Sequence, residues 1–219
     1  MSRILLIDDH SAIRQGIAQL LLARNLFTEA VEASTGAEAL ALAERGPWAM
    51  VLLDISLPDM SGVEVLRRIK RHSPTLPVLI FSMYREDQYA VRALKAGASG
   101  YLSKTANAHE LTSALQQICA GRKYVSASLA EALAEYVSAD AAQMPHEKLS
   151  NREYQTLCML GSGKRLTDVA DVLSLSVKTV SVYRARLLEK LGLANNAELT
   201  YYVMRNQLVD LGANRTNAA

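Results

Sequence analysis

Between Arg3 and Ala120, short apolar runs alternate with longer stretches in which apolar residues recur at steps of three and four. That alternation is the mark of a parallel sheet covered by helices. The predicted strands are Arg3–Ile7, Thr28–Ala33, Met50–Asp54, Val78–Ser82 and Gly100–Leu102. Between them, Ile13, Ile17, Leu20 and Leu21, and later Val63, Leu66 and Ile69, would each line one face of a helix. Ser11 is placed to cap the first helix and Gly97 to end the fourth, while Pro47, Pro58 and Pro77 fall between elements.

A chain of 219 residues, half of them hydrophobic, has enough apolar material for two cores, since domains commonly run to about 100–150 residues. The pattern divides it into a first domain over 1–122, a linker over 123–147, a small helical domain over 148–212 and a flexible tail over 213–219. The linker is rich in Ala, Ser and Glu, with a helix expected over about Ser128–Val137 and a break at Met144-Pro145. Net charge is only +2, but residues 148–219 carry ten Lys/Arg against six Asp/Glu, whereas residues 1–122 carry thirteen against twelve. The positive excess at the C-terminal end favours a polyanionic partner. Cys119 and Cys158 lie far apart with no metal-site or redox spacing and are expected to be buried thiols. Ile4 to Ile7 is too short for a signal-peptide core, and no apolar run approaches about 20 residues, so a soluble cytoplasmic protein with no membrane contact is expected.

Asp8, Asp9, Asp54, Ser82 and Lys104 all fall at or just past the ends of predicted strands. Ligands of open parallel sheets bind beyond those carboxyl ends. Three carboxylates gathered there repel one another unless a hard divalent cation neutralises them, and oxygen-only ligands suit Mg2+. Asp8 or Asp9 alone could simply cap the next helix. Joined by a fixed cation, Lys104, and a hydroxyl donor, Ser82, they describe a phosphoryl acceptor site. His10 follows the two acids as a turn or packing residue and is left out of the chemistry.

On Ile7-Asp8-Asp9-His10, Val51-Leu52-Leu53-Asp54 with Pro58 and Gly62, Phe81-Ser82-Met83, and Ala96-Gly97-Ala98 leading through Gly100-Tyr101-Leu102 to Lys104, residues 1–122 resemble the receiver domain of two-component response regulators. The resemblance implies an α/β flavodoxin-like (CheY-like) fold with a five-stranded parallel sheet. It also implies that Asp54 accepts the phosphoryl group, that Asp8, Asp9, Asp54 and the backbone carbonyl of Ser56 form the metal site, that Ser82 and Tyr101 act as a switch pair, and that Lys104 contacts the phosphate. The physics agrees, because phosphoryl transfer asks for in-line positioning and charge neutralisation more than for an acid or base. Drawing Ser82 towards an acyl phosphate would open space for the ring of Tyr101.

From Leu149 the pattern changes to four short helices, expected at about Asn151–Leu160, Leu166–Leu173, Val177–Leu191 and Ala197–Asn206. Ser150 and Glu153 form a capping box, and Ser174-Leu175-Ser176 has helix-turn-helix spacing, burying Leu175 and capping the next helix with Ser176. Val180, Leu187, Leu188 and Leu191 face the core there, leaving Lys178, Thr179, Ser181, Tyr183, Arg184, Arg186 and Lys190 on the surface. An ordinary amphipathic helix with a solvated basic face is the plain alternative; the hydroxyls and the single acid, Glu189, point instead to DNA. Tyr201, Tyr202 and Met204 on the last helix could pair two copies.

Leu149-Ser150-Asn151-Arg152-Glu153, the Gly161–Gly163 turn, Asp168-Val169-Ala170, Leu175 to Val180 and Lys190-Leu191-Gly192-Leu193 make this segment similar to the LuxR-type helix-turn-helix of the NarL/FixJ class. The similarity places Lys178, Thr179, Ser181, Val182, Tyr183, Arg184 and Ala185 on the DNA-facing side, with Lys178, Thr179 and Arg184 at phosphates and Ser181, Val182 and Ala185 near base edges. Tyr183 stands where a histidine is common, and Tyr154 where Glu or Arg is. The expected protein is a response-regulator transcription factor: Asp54 is phosphorylated by a histidine kinase with Mg2+, and the chain is not an enzyme beyond its own phosphorylation and dephosphorylation. Its other partners would be double-stranded DNA, bound as a homodimer, and RNA polymerase. The alternatives are a regulator that binds DNA without phosphorylation and an Asp-dependent phosphatase, the latter disfavoured by Ser56 where a proton-handling residue would stand.

Overall fold

The computed structural model describes residues 2–84, 86–126, 129–130, 144–206 and 208–209. It divides into two compact units, Met1–Ala141 and Ala142–Ala219. The helix expected over Ser128–Val137 lies outside the described residues apart from Leu129 and Ala130, as does the tail after Leu211.

The first unit alternates β1 (Arg3–Ile7), α1 (Ser11–Ala23), β2 (Glu29–Ala33), α2 (Gly36–Ala43), β3 (Met50–Leu53), α3 (Gly62–His72), β4 (Val78–Ser82), α4 (Glu86–Lys95), β5 (Gly100–Ser103) and α5 (Ala108–Cys119). Every pairing is parallel and the order is β2-β1-β3-β4-β5. The winding reverses on either side of β1, which opens a crevice beyond the ends of β1 and β3. Ile4 to Ile7, Met50 to Leu53 and Val78 to Ser82 are wholly buried, as strands covered on both faces must be. Ile4, Leu6, Leu52, Leu79, Phe81 and Leu102 pack with Ile17 and Leu21 of α1 and Leu111, Leu115 and Ile118 of α5. Their alternates, such as Leu5, Val51, Leu53 and Ile80, point to the opposite face by the two-residue period of a strand.

Three details differ from expectation. Ser11 does not cap α1: it is the first helical residue, and His10 occupies the cap position with its own N–H donated to Asp8 Oδ1 at 2.9 Å. β3 stops at Leu53, so Asp54 stands just beyond the strand. Cys119 is exposed at the end of α5, whereas Cys158 is buried. Gly97 does end α4, at φ +100°, with the N–H of Gly97 and Ala98 closing back onto Leu94 and Ala93.

The second unit begins with a 3-10 turn, Pro145–Lys148, followed by α6 (Asn151–Gly161), α7 (Leu166–Val172), α8 (Val177–Leu191) and α9 (Asn196–Arg205). The Ser150/Glu153 capping box is formed. Between α7 and α8, Ser174 takes a left-handed φ of 53°, the Leu175 N–H donates to Ala170, and Ser176 caps α8 through the Thr179 N–H. Val180, Leu187 and Leu188 are buried as expected, while Leu175 and Leu191 are only half-buried. Gly161 lets α6 approach α9 so closely that an added Cβ would fall 2.5 Å from the Val203 side chain.

Lys190 joins α8 to α6 by donating to Glu153 at 2.7 Å. Burial works against the charged Glu153, but the Lys190 ammonium and the Ser150 N–H and hydroxyl more than compensate, holding its carboxyl below the usual range. A depressed folded value means that this stabilisation is complete above the ordinary glutamate range and is lost as pH falls through the depressed value. Glu153→Gln should therefore weaken the second unit by about 1–2 kcal/mol at neutral pH, the low end reflecting how readily the half-exposed Lys190 turns to water. Faster hydrogen exchange of α6 and α8 amides, converging with the native rate in acid, is the expected readout.

Candidate phosphoacceptor site and DNA-facing helix

The sheet itself sets out the site. Asp8 donates its N–H to the carbonyl of Ala33 (3.1 Å), Asp54 to Ile7 (2.8 Å) and Lys104 to Ser82 (2.9 Å). Each is one residue past its strand, yet each is held by an extension of the neighbouring ladder. Their side chains start from fixed backbone and meet in the crevice. Lys104 Nζ lies 2.5 Å from Asp8 Oδ2 and 2.7 Å from Asp54 Oδ2, with the Lys104 and Asp54 side chains each 2% exposed.

Asp54 has only half of its carboxylate satisfied: Oδ1 is buried without a hydrogen-bond partner. Burial pushes its pKa up; Lys104 pulls it down, neighbouring Asp8 pushes it up again, and the balance remains above the ordinary aspartate range. Burial alone would lower Lys104, but Asp54 and Asp8 outweigh it and raise the ammonium above its usual value, so it stays charged. Ser82 is fully buried, close enough for its hydroxyl to help hold the Asp54 charge, yet its Oγ completes no hydrogen bond. Tyr101 is also fully buried, and its hydroxyl donates to the Tyr84 carbonyl at 2.7 Å. The Tyr84 ring in turn lies against Tyr89 of α4, with centroids 4.6 Å apart.

Asp9 is exposed at the mouth of the crevice. One ligand atom from each of Asp8, Asp9, His10 and Asp54 falls within 4.8 Å of the others. The hard oxygens of the three aspartates and the unpartnered Asp54 Oδ1 fit a divalent cation such as Mg2+. The loop after Asp54 is pinned by a bridge between Ser56 and Ser61, and Gly62 is in contact with the Asp54 carbonyl, where an added Cβ would sit 1.9 Å from the oxygen. That loop also carries Asp59, which accepts from the N–H groups of Gly36 and Ala37 at 2.8 Å each and so caps α2. Burial raises the Asp59 pKa, but these backbone donors win and hold it low.

Sequence reasoning missed three of these neighbours. His10 was set aside, yet its Nδ1 lies 2.6 Å from Asp9 Oδ1 and 3.2 Å from Asp8 Oδ1. Arg14 donates to the Asp8 carbonyl and pairs with Glu32. The cap by Asp59 is non-local. Direct adjacency to the acids could have flagged His10; nothing in the linear pattern marks the other two.

In the second unit, Lys178, Ser181, Val182, Ala185 and Arg186 are exposed on α8, and Thr179, Tyr183 and Arg184 are half-exposed. Two of the residues expected at phosphates are engaged at home: Thr179 shares a hydrogen bond with Ser176 (2.8 Å), and Arg184 Nε donates to Asn196 Oδ1 at the start of α9 (2.6 Å). On α9, Tyr201 and Met204 are exposed, but Tyr202 is not free: it is half-buried, its hydroxyl 3.0 Å from His146 Nδ1.

Replacing Lys104 by Met would leave two buried carboxylates without their shared cation. Loss of one partner from such a cluster costs about 3–5 kcal/mol. Denaturant unfolding of Lys104→Met should show a deficit of that order at neutral pH that shrinks in acid, as Asp54, whose pKa burial already raises, takes up a proton.

Comparison with known proteins bears on both units. Residues 4–116 match the response regulator receiver domain family, and residues 147–203 match the luxR family of bacterial regulatory proteins. The chain is 34% identical over 210 residues to the response regulator GacA of Pseudomonas protegens, covering 96% of this chain and 99% of that protein. It is 32% identical over 209 residues to the response regulator UvrY of Escherichia coli, covering 95% and 96% respectively. Among solved structures, a LuxR-family two-component response regulator from Aurantimonas sp. SI85-9A1 aligns with a TM-score of 0.57 at 35% identity, over 63% of this chain and 99% of that one.

Proposed function

The chain belongs to the two-component response regulators that join a receiver domain to a LuxR-type DNA-binding domain, and from that membership we propose that it takes a phosphoryl group from a histidine kinase onto Asp54 and thereby controls sequence-specific binding to DNA. The division of labour is a phosphoacceptor domain over 1–122, a connector over 123–147 and a DNA-binding domain from 148 to about 212. No helix among the described residues is long and apolar enough to cross a membrane; a cytoplasmic location is part of the proposal.

The half-satisfied carboxylate of Asp54 carries this reading. Lys104 occupies one oxygen and leaves the other buried and unpaired at the end of β3. An oxygen of this carboxylate would attack the phosphorus in line, forming the O–P bond as the P–N bond of a phosphohistidine breaks and the leaving imidazole keeps its electron pair. Asp8, Asp9, Asp54 and the Ser56 carbonyl would hold Mg2+, which supplies positive charge for the equatorial phosphoryl oxygens. Lys104 neutralises a further oxygen, and Ser82 Oγ, now without a partner, gains an acceptor of its own. With Ser82 drawn in, the buried arrangement of Tyr101 is favoured, and its bond to the Tyr84 carbonyl links the site to the loop before α4. A coupling of about 1–3 kcal/mol is the usual size of such an effect. The luxR-family match places the chain among transcription regulators and leaves the phosphatase alternative without support.

Incubation with a small acyl-phosphate donor and Mg2+ should add a phosphate-sized mass to the native chain. Neither Asp54→Asn nor native protein in chelator should gain it; modification of Asp54→Asn would refute the assignment.

On the DNA side, Lys178, Thr179, Ser181, Val182, Tyr183, Arg184 and Ala185 form the contact face of α8, and the exposed Tyr201 and Met204 of α9 offer a pairing surface. A histidine kinase, duplex DNA, a second copy of the chain and RNA polymerase are the proposed partners. On a palindromic duplex, two protomers should sediment per DNA. Lys178→Ala should weaken binding similarly across sequences and take about one from the slope of log affinity against log salt.

A further inference from the structure

We propose that the acidic crevice is a mixed nitrogen and oxygen site, in which the His10 imidazole joins Asp9 and Asp54 in taking a borderline divalent transition ion of the Co2+ or Zn2+ kind in competition with Mg2+. This rests on reading the crevice as a metal site.

The placement of His10 is the first observation. Its backbone N–H is fixed to Asp8 Oδ1, and its ring, although 60% exposed, is turned onto the acids, with Nδ1 2.6 Å from Asp9 Oδ1 and 3.2 Å from Asp8 Oδ1. Two ligands in adjacent positions on metal bonds of about 2.1 Å lie about 3 Å apart, so these separations need change by only tenths of an ångström to accept an ion. The second observation is independent of the ring. Lys104 covers Oδ2 of both Asp8 and Asp54, while Asp54 Oδ1, on a side chain only 2% exposed, has no partner. The crevice thus pairs an unsatisfied buried oxygen with an imidazole at its mouth, and one ligand atom from each of Asp8, Asp9, His10 and Asp54 lies within 4.8 Å of the rest.

Donor chemistry then sets the preference. Mg2+ gains little from exchanging a water or carboxylate oxygen for imidazole, whereas Co2+ and Zn2+ bind imidazole nitrogen well. His10 therefore adds affinity selectively. If its ring merely oriented Asp9 through a hydrogen bond, it would help both classes of ion alike.

The full-length protein would be titrated with CoCl2, followed by visible absorption of the bound ion, and with MgCl2, followed by calorimetry, for the native chain, His10→Ala, His10→Gln and Asp9→Asn. The expected result is a fall in the ratio of Co2+ to Mg2+ affinity of about tenfold or more in both His10 variants, together with loss of the native Co2+ spectrum in Asp9→Asn. An unchanged ratio in the His10 variants, whether both affinities fall together or neither moves, overturns the proposal and leaves the metal site itself standing. Persistence of the native Co2+ spectrum in Asp9→Asn also overturns it. Failure of the native chain to bind either ion removes the metal site and this inference with it.

Discussion

The ammonium of Lys104, shared between Asp8 and Asp54 in a crevice from which water is nearly excluded, is what draws two carboxyl groups together side by side. Burial and mutual repulsion both push Asp54 towards its neutral form, and a neutral acid has no nucleophilic oxygen to offer. Lys104 opposes them, and its own raised pKa shows the reciprocal gain. Because it reaches only one oxygen of Asp54, the compensation is incomplete. The other oxygen remains a buried acceptor without a hydrogen-bond partner.

Precise placement of that cluster comes from backbone. The N–H groups of Asp8, Asp54 and Lys104 continue the ladders of β1, β3 and β5 onto the last residues of adjacent strands, so the side chains diverge from a rigid edge. The following loop is braced by the contact of Gly62 with the Asp54 carbonyl and by Asp59 on the N-terminus of α2. A side chain at position 62 would collide with the backbone of residue 54 itself.

Much of this was legible in the sequence, for identifiable reasons. The buried strands announced themselves as unbroken apolar runs, and the gathering of the acids, Ser82 and Lys104 followed from their falling at strand ends. Helix boundaries came within one or two residues where a local signal existed, as at Ser150 and Ser176. Ser11 misled because a hydroxyl before an apolar stretch looks like a cap, whereas the Asp8 carboxylate, two residues before His10, had already fixed the chain's entry. Tyr202 falls with Tyr201 and Met204 among the expected pairing residues but is turned onto His146, a residue 56 positions away. Shorter separations, of 23 and 22 positions and of 12, were enough to conceal the Asp59 cap and the Arg184–Asn196 bond: contacts that depend on packing leave no periodic trace.

The bond from Arg184 to Asn196 ties the middle of α8 to the first residue of α9. Anyone retargeting this regulator by grafting a foreign reading helix onto it would therefore import half of a joint. A donor sequence lacking a guanidinium at that place would free the Asn196 amide and loosen the angle at which the final helix leaves the turn. The two helices would then shift together, and a successful graft would have to carry positions 184 and 196 as a matched set.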